Sequence, residues 1–156
     1  MAKLPEDTAP ENWHRFFGAS ANNQAWMLAE THSGPGCDTE LLNAAHAADF
    51  HWQAIGTTLQ KMRARMLLAL AHALAGLGRS ALAYADETRA YFLDEPETPD
   101  WELAFVHAIH AHAAAVAGDA QAHAASYAAA ALAVDAIADK EDREIVERTW
   151  RQVPAP

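Results

Sequence analysis

Apolar residues recur along this chain at helical spacing, and short polar breaks divide the runs. At about 100° per residue, Leu41, Ala44, Ala45, Ala48, Trp52 and Ile55 share one face of a helix over 39–55. His51 sits at the edge of that face. His46 lies on the other side with Leu42 and Phe50, so this helix is expected to be sandwiched. A leucine- and methionine-rich run predicts a helix over 59–77. Further runs predict helices over 80–93, 99–117 and 120–137. Ile145, Val146 and Trp150 mark the buried side of a last helix reaching 151. Near the N-terminus, Trp13, Phe16 and Phe17 predict a short helix ending near Gly18, and Trp26, Met27 and Leu28 a second one. No stretch alternates with the period of a strand.

The breaks carry their own signals. "TAPE" reads as a capping box, with Thr8 as N-cap, Pro10 in the first turn and Glu11 three residues on. Ser20, Asp38, Thr58, Asp119 and Asp139 are placed as N-caps, and Thr98 with Pro99 as a cap and first-turn pair. "HSGPG" at 32–36 breaks the chain, Gly56 stops the helix before it, and Gly118 is a C-cap glycine. These signals predict an all-α fold of seven to eight helices arranged as antiparallel helical hairpins. The expected layout is a single domain over 1–156. It comprises N-terminal helices and a loop (1–37), a connecting helix (38–58), and two hairpins with a C-terminal helix (59–151).

Composition narrows the function classes. The chain has 156 residues, half of them apolar, with alanine the commonest, which favours helices that approach closely. The net charge of −10 argues against a nucleic-acid partner, although Lys61, Arg63 and Arg65 cluster. Cys37, in "SGPGC", is the single cysteine, so no internal disulfide forms and a reducing compartment is expected. "MAKLPEDTAP" has no apolar signal core. The least charged stretch, Leu103 to Gly118, is too short and too rich in alanine and histidine to span a bilayer. A cytoplasmic protein with no membrane partner is the expectation.

Two segments are related to each other. Over 64–96, Leu67, Leu70, Ala71 and Leu74 lie on a first helix, Gly78 at the turn, and Ala83 and Ala90 at small positions of a second helix. This pattern resembles a tetratricopeptide repeat. A second copy over 104–137 is displaced by 40 residues, against a usual period of about 34. The "EPETPD" loop accounts for the excess. Gly118, Tyr127 and Ala130 match the family pattern, but His107, His110 and His123 stand where the first copy has Leu67, Leu70 and Ala83. Phe105, Ile109 and Val116 meanwhile gather on a different face. The resemblance implies an α-solenoid scaffold that binds a protein or peptide in a groove lined by Arg65, Leu68, His72, Phe105, Ala108 and His112. "NAAHAADFHW", "GDA" and "AIADKEDRE" are also similar to a group of small uncharacterised bacterial helical proteins, a likeness that implies no activity.

The histidines offer a different chemistry. Zinc takes three or four nitrogen, sulfur or oxygen ligands. His107 and His110 are spaced to share a helix face. His110 precedes Gly118 by eight residues and His123 follows it by five. Across an antiparallel hairpin that leaves an axial offset of about 4–5 Å. His107, His110 and His123 therefore form a candidate metal set, with His46 (Asp49 one turn on) as the outside ligand. No "HExxH" or paired-cysteine spacing is present. Ser126 and His123 lie one turn apart, without an evident third group to orient the histidine. Glu141, Asp142, Glu144 and Glu147 read as a solvated helix face.

Three functions follow as expectations. The first is a non-catalytic protein-interaction or assembly module, needing no cofactor. The second is a metal-binding helical protein, a hydrolase or oxidoreductase, with a transition metal such as zinc. The third is a binder of small hydrophobic ligands in a pocket between the aromatic N-terminal third and the repeats. The alanine-rich helix over 120–137, or the last helix, would serve a two-fold homodimer.

Overall fold

The computed structural model describes residues 9–156. Among them are seven α-helices, one 3-10 turn and no strand. The helices are α1 (Pro10–Glu30), α2 (Asp38–Ile55), α3 (Thr58–Leu74), α4 (Gly78–Asp94), α5 (Asp100–Ala117), α6 (Ala120–Ala136) and α7 (Lys140–Trp150), with the 3-10 turn at Pro35–Cys37. From α1 to α6 each helix packs on the next; α5 also packs on α3 and α7. One apolar core draws residues from all seven helices, including Ala25, Leu41, Leu67, Phe92, Ile109, Val134 and Val146. No helix among the described residues is long and apolar enough to cross a membrane.

Several caps form where the sequence places them. Asp119 accepts from the Ala122 N–H at 2.9 Å. Asp139 accepts from Glu141 and Asp142 at 2.8 and 3.0 Å. Gly118 has φ +78 and ends α5 in the left-handed region. Others shift. The capping box of α3 is built on Thr57, one residue before Thr58, and its partner is Gln60. Asp38 lies inside α2 and bonds His32 at 2.7 Å instead of capping. Thr98 donates from Oγ1 to the Phe92 carbonyl at 2.9 Å, and Pro99 takes the N-cap position of α5. The capping box expected at Thr8 lies outside the described residues.

The two N-terminal helices expected from the sequence are one helix. Gly18 does not end α1, and Ser20 lies in its interior. Gly18 is buried where α1 crosses α2; a Cβ there would sit 3.2 Å from the Trp52 ring and 3.3 Å from the His51 Cβ. The glycine serves close approach, not termination. Gly78 repeats the lesson. The left-handed residue of the α3–α4 turn is Gly76, φ +74, and Gly78 is the first residue of α4. A Cβ on Gly78 would meet the Val116 carbonyl oxygen at 2.5 Å and the Ala117 nitrogen at 2.6 Å. Glycine is what lets the start of α4 touch the end of α5.

The chain end folds back onto the body. Gln152 Nε2 donates to the Ala29 carbonyl at 2.8 Å, and Val153 is buried against Ala108, Ala111 and Ala130. In α4, Ala83 and Ala90 are exposed while Ala81 and Ala85 are buried. The outer face of α6 is open, with Ala124, Ala125, Ala128 and Leu132 exposed.

Gly78→Ala is expected to destabilise the fold by about 1–3 kcal/mol, because the obstructing atoms are backbone and cannot rotate away. Gly36→Ala, with nothing within 4 Å of a Cβ, should change stability by no more than about 0.5 kcal/mol. Urea denaturation of both variants checks this. Equal midpoints would show that α4 and α5 are not in close contact at Gly78.

Candidate functional site

The sequence-derived metal set is not assembled. His46 is exposed, and its Nε2 lies 3.0 Å from Nε2 of His72. His123 donates from Nε2 to the Pro154 carbonyl at 2.8 Å. His110 reaches Ser126 Oγ from Nδ1 at 2.8 Å and Asp86 Oδ1 from Nε2 at 2.9 Å. His107 is half-buried, and its Nδ1 has no hydrogen-bond partner among the described residues. No group of three or more His, Cys, Asp or Glu among the described residues is arranged to hold a metal ion. Axial arithmetic put His110 and His123 at a similar level, but it carries no information about azimuth. His123 turns toward the C-terminal segment, and His46 toward α3.

Most of the expected groove positions are buried. Leu68, His72, Phe105, Ala108 and His112 are all buried, and Arg65 is held by Asp49 and Glu87 with its guanidinium over Tyr84. Helices α1 and α2 pack on α3, while Phe105 lines an open cleft. His72 is closed off further. Its Nδ1 lies 2.6 Å from Ser80 Oγ, and Tyr84 packs edge-on against its ring.

An apolar cleft lies beside these positions. A cleft of about 320 Å³ opens between α1, α3, α5 and α7. Asn22, Trp26 and Glu30 come from α1, Arg63 and Met66 from α3, Trp101, Glu102 and Phe105 from α5, and Ile145 from α7. Trp26 packs on Phe105 with ring centroids 5.3 Å apart, and Trp101 meets Phe105 edge-on at 6.3 Å. Beside the rings, Arg63 forms a two-pronged ion pair with Glu102, Nε to Oε1 at 2.6 Å and Nη2 to Oε2 at 2.8 Å. Glu102 is 1% exposed. The Glu102 hydrogen bond raises the Arg63 pKa, and burial opposes it. The Arg63 guanidinium also stacks over Trp101 at 5.5 Å. The other carboxylate, Glu30, pairs with Arg148 at 3.2 Å. Rings and a neutralised ion pair thus line a cleft suited to a flat, apolar body. Two hollows adjoin it. One, of about 270 Å³, shares Arg63 and Glu102; the other, of about 200 Å³, shares Trp101, Phe105 and Ile145.

Of the residues singled out from the sequence, Phe105 and Trp26 line this cleft. Arg63, Glu102 and Trp101 were missed as a site. A partial signal existed: Glu102 is a carboxylate at the head of an apolar run, and Arg63 belongs to the basic cluster that opens another. Their pairing across 39 positions depends on how α3 and α5 cross.

Comparison of the chain with protein-family models, with curated proteins and with solved structures returned no match.

Buried histidines leave a measurable trace in stability. His112, 6% exposed, has no partner for Nδ1 among the described residues. Burial, with His123 and His32 adding to it, lowers its pKa from the ordinary 6.5 to about 4. Burial likewise lowers His51, His72 and His107, with further contributions from His14, from His46, and from Arg89 and His110 in turn. A lowered pKa in the folded state means that the unfolded chain binds more protons between the two values. Stability is therefore complete above pH 6.5 and falls as pH drops toward 4, with His112 alone accounting for about 3 kcal/mol. Melting temperatures measured from pH 7.5 to 5 should fall steadily, and His112→Leu should flatten much of that slope. An unchanged slope in the variant would show that His112 is not the buried neutral group.

Proposed function

We propose that the protein is a binding module that takes a small, flat, largely apolar ligand in the Trp26–Trp101–Phe105 cleft. The observation that carries this reading is the cleft itself. Three aromatic rings converge on a concave site where each carboxylate already has an arginine partner. Its volume falls at the lower end of small-molecule sites, which start at about 300 Å³. Its place between α1 and the later helices is the junction where the sequence suggested a hydrophobic pocket. Paired charges disfavour a free cation or anion as ligand, since each would have to displace an arginine or a glutamate from a partner it already has.

The adjoining hollows favour a second reading at the same place. A protein or peptide partner would seat an aromatic side chain in the cleft and run on past Arg63 or Ile145. Both readings make the cleft the recognition site. They differ in whether the occupant ends there.

Titration with N-phenyl-1-naphthylamine, a neutral fluorescent aromatic, tests the first reading. Saturable one-to-one binding is expected, with quenching of tryptophan emission. Trp26→Ala should weaken it about tenfold, the worth of one aromatic contact. Ile145→Glu, at an exposed position on the rim, should weaken it without lowering the melting temperature. Absence of saturable binding, or full affinity in both variants, would overturn the proposal.

A further inference from the structure

A second cleft, of about 290 Å³, shares no lining residue with the aromatic one. Arg89, His110, Asp119, Gln121, Ala122, Ala125 and Ser126 line it, at the junction of α4, α5 and α6. Asp86 and Arg89 sit three residues apart on α4, and His107 and His110 three apart on α5, so each pair shares a helix face. Ser126 is the buried hydroxyl of α6, and the small side chains of Ala122 and Ala125 leave the space beside it open.

The hydrogen bonds of His110 decide its tautomer. An ionised carboxylate only accepts, so Nε2 carries the proton and donates to Asp86 Oδ1 at 2.9 Å. That leaves Nδ1 as the unprotonated nitrogen, and Ser126 Oγ, 2.8 Å away, donates to it. The serine hydroxyl therefore faces a base whose other nitrogen is oriented by an acid, the arrangement needed to activate a nucleophile. The pair His72 and Ser80 shows the contrast. Ser80 donates to the Leu77 carbonyl at 3.1 Å, and His72 has another histidine, not a carboxylate, at its second nitrogen. Arg89 adds a cation to the same cleft. Its Nε is buried with no partner among the described residues, while Asp119, the only carboxylate lining the cleft, accepts from the Ala122 N–H.

We propose that Ser126, His110 and Asp86 form a nucleophilic site that cleaves small carboxylic esters in this cleft. Ser126 Oγ adds to the ester carbonyl carbon as its proton passes to His110 Nδ1. The carbonyl oxygen takes up the negative charge beside the Arg89 guanidinium. The bond from carbon to the alkoxy oxygen then breaks, and the alcohol leaves with the proton from Nδ1. Water repeats the two steps on the acyl-serine, releasing the carboxylic acid and restoring the hydroxyl. Ser126 and His110 are the catalytic residues; Asp86 positions His110. The cleft volume suits a small ester.

The full chain treated with a fluorophosphonate reagent tests this. The Ser126 oxygen would displace fluoride at phosphorus, and mass spectrometry would find one adduct per chain, on the peptide holding Ser126. Ser126→Ala, a change that suits an alanine-rich helix, should abolish the adduct with no loss of helicity. His110→Gln should slow labelling about a hundredfold, the scale of a lost general base. Asp86→Asn should slow it about tenfold and change the nitrogen-15 shift pattern of the His110 ring, because amide and carboxylate select tautomers differently. No adduct on the folded protein, an adduct on another serine, or equal rates in His110→Gln would overturn the proposal.

Discussion

Helix α5 is enclosed. Helices α3, α4, α6 and α7 all pack on it, and most residues from Glu102 to Ala114 are buried. An enclosed helix needs small side chains wherever a neighbour's backbone approaches, and Ala104, Ala108, Ala111, Ala113 and Ala114 supply them. It also has no water for its polar side chains, so each must find a partner in a neighbouring helix or stay neutral. Glu102 finds Arg63, and His110 finds Asp86 and Ser126. His112 leaves Nδ1 without one among the described residues and is held neutral by burial.

Those pairings orient the neighbours. Alanine faces are smooth, and by themselves they admit sliding and rotation of one helix on another. A bidentate arginine pair does not, because guanidinium and carboxylate must be coplanar and aligned. Arg63 sets α3 against α5; Asp86 and Ser126 set α4 and α6 against the same helix. Asp100 adds a further tie, accepting from the Ala138 N–H and so joining the start of α5 to the α6–α7 connection. Polar groups that burial makes costly thus also select one arrangement of an alanine-rich stack.

Much of this was legible before the structure. Helical periodicity placed α2 through α7, and the buried face Leu41, Ala44, Ala45 and Ala48 was read residue by residue. Glycine misled where it marked close approach, because at Gly18 a helix stop and a crossing point write the same letter. The sites were less legible. Spacing along one helix says which side chains share a face, so His107 with His110 could be paired, but not which helix that face meets. Ser126 was noticed beside His123, its neighbour on the same helix. Its partner is His110, sixteen residues away on the facing one, and the orienting acid lies on a third helix. Such a constellation exists only after three azimuths are set.

The two clefts differ in what supports them. The aromatic cleft is framed by four helices and by ion pairs from α3 to α5 and from α7 to α1. Helix α6, by contrast, packs mainly on α5 and touches α7, with its outer face open. Ser126 is 3% exposed, and the cleft beside it is walled by Ala122 and Ala125 of α6 and Arg89 of α4. The bonds from His123 to the Pro154 carbonyl and between His110 and Ser126 hold α6 in place. The alanine faces that let α5 be enclosed also bring α6 close enough for Ser126 to reach His110.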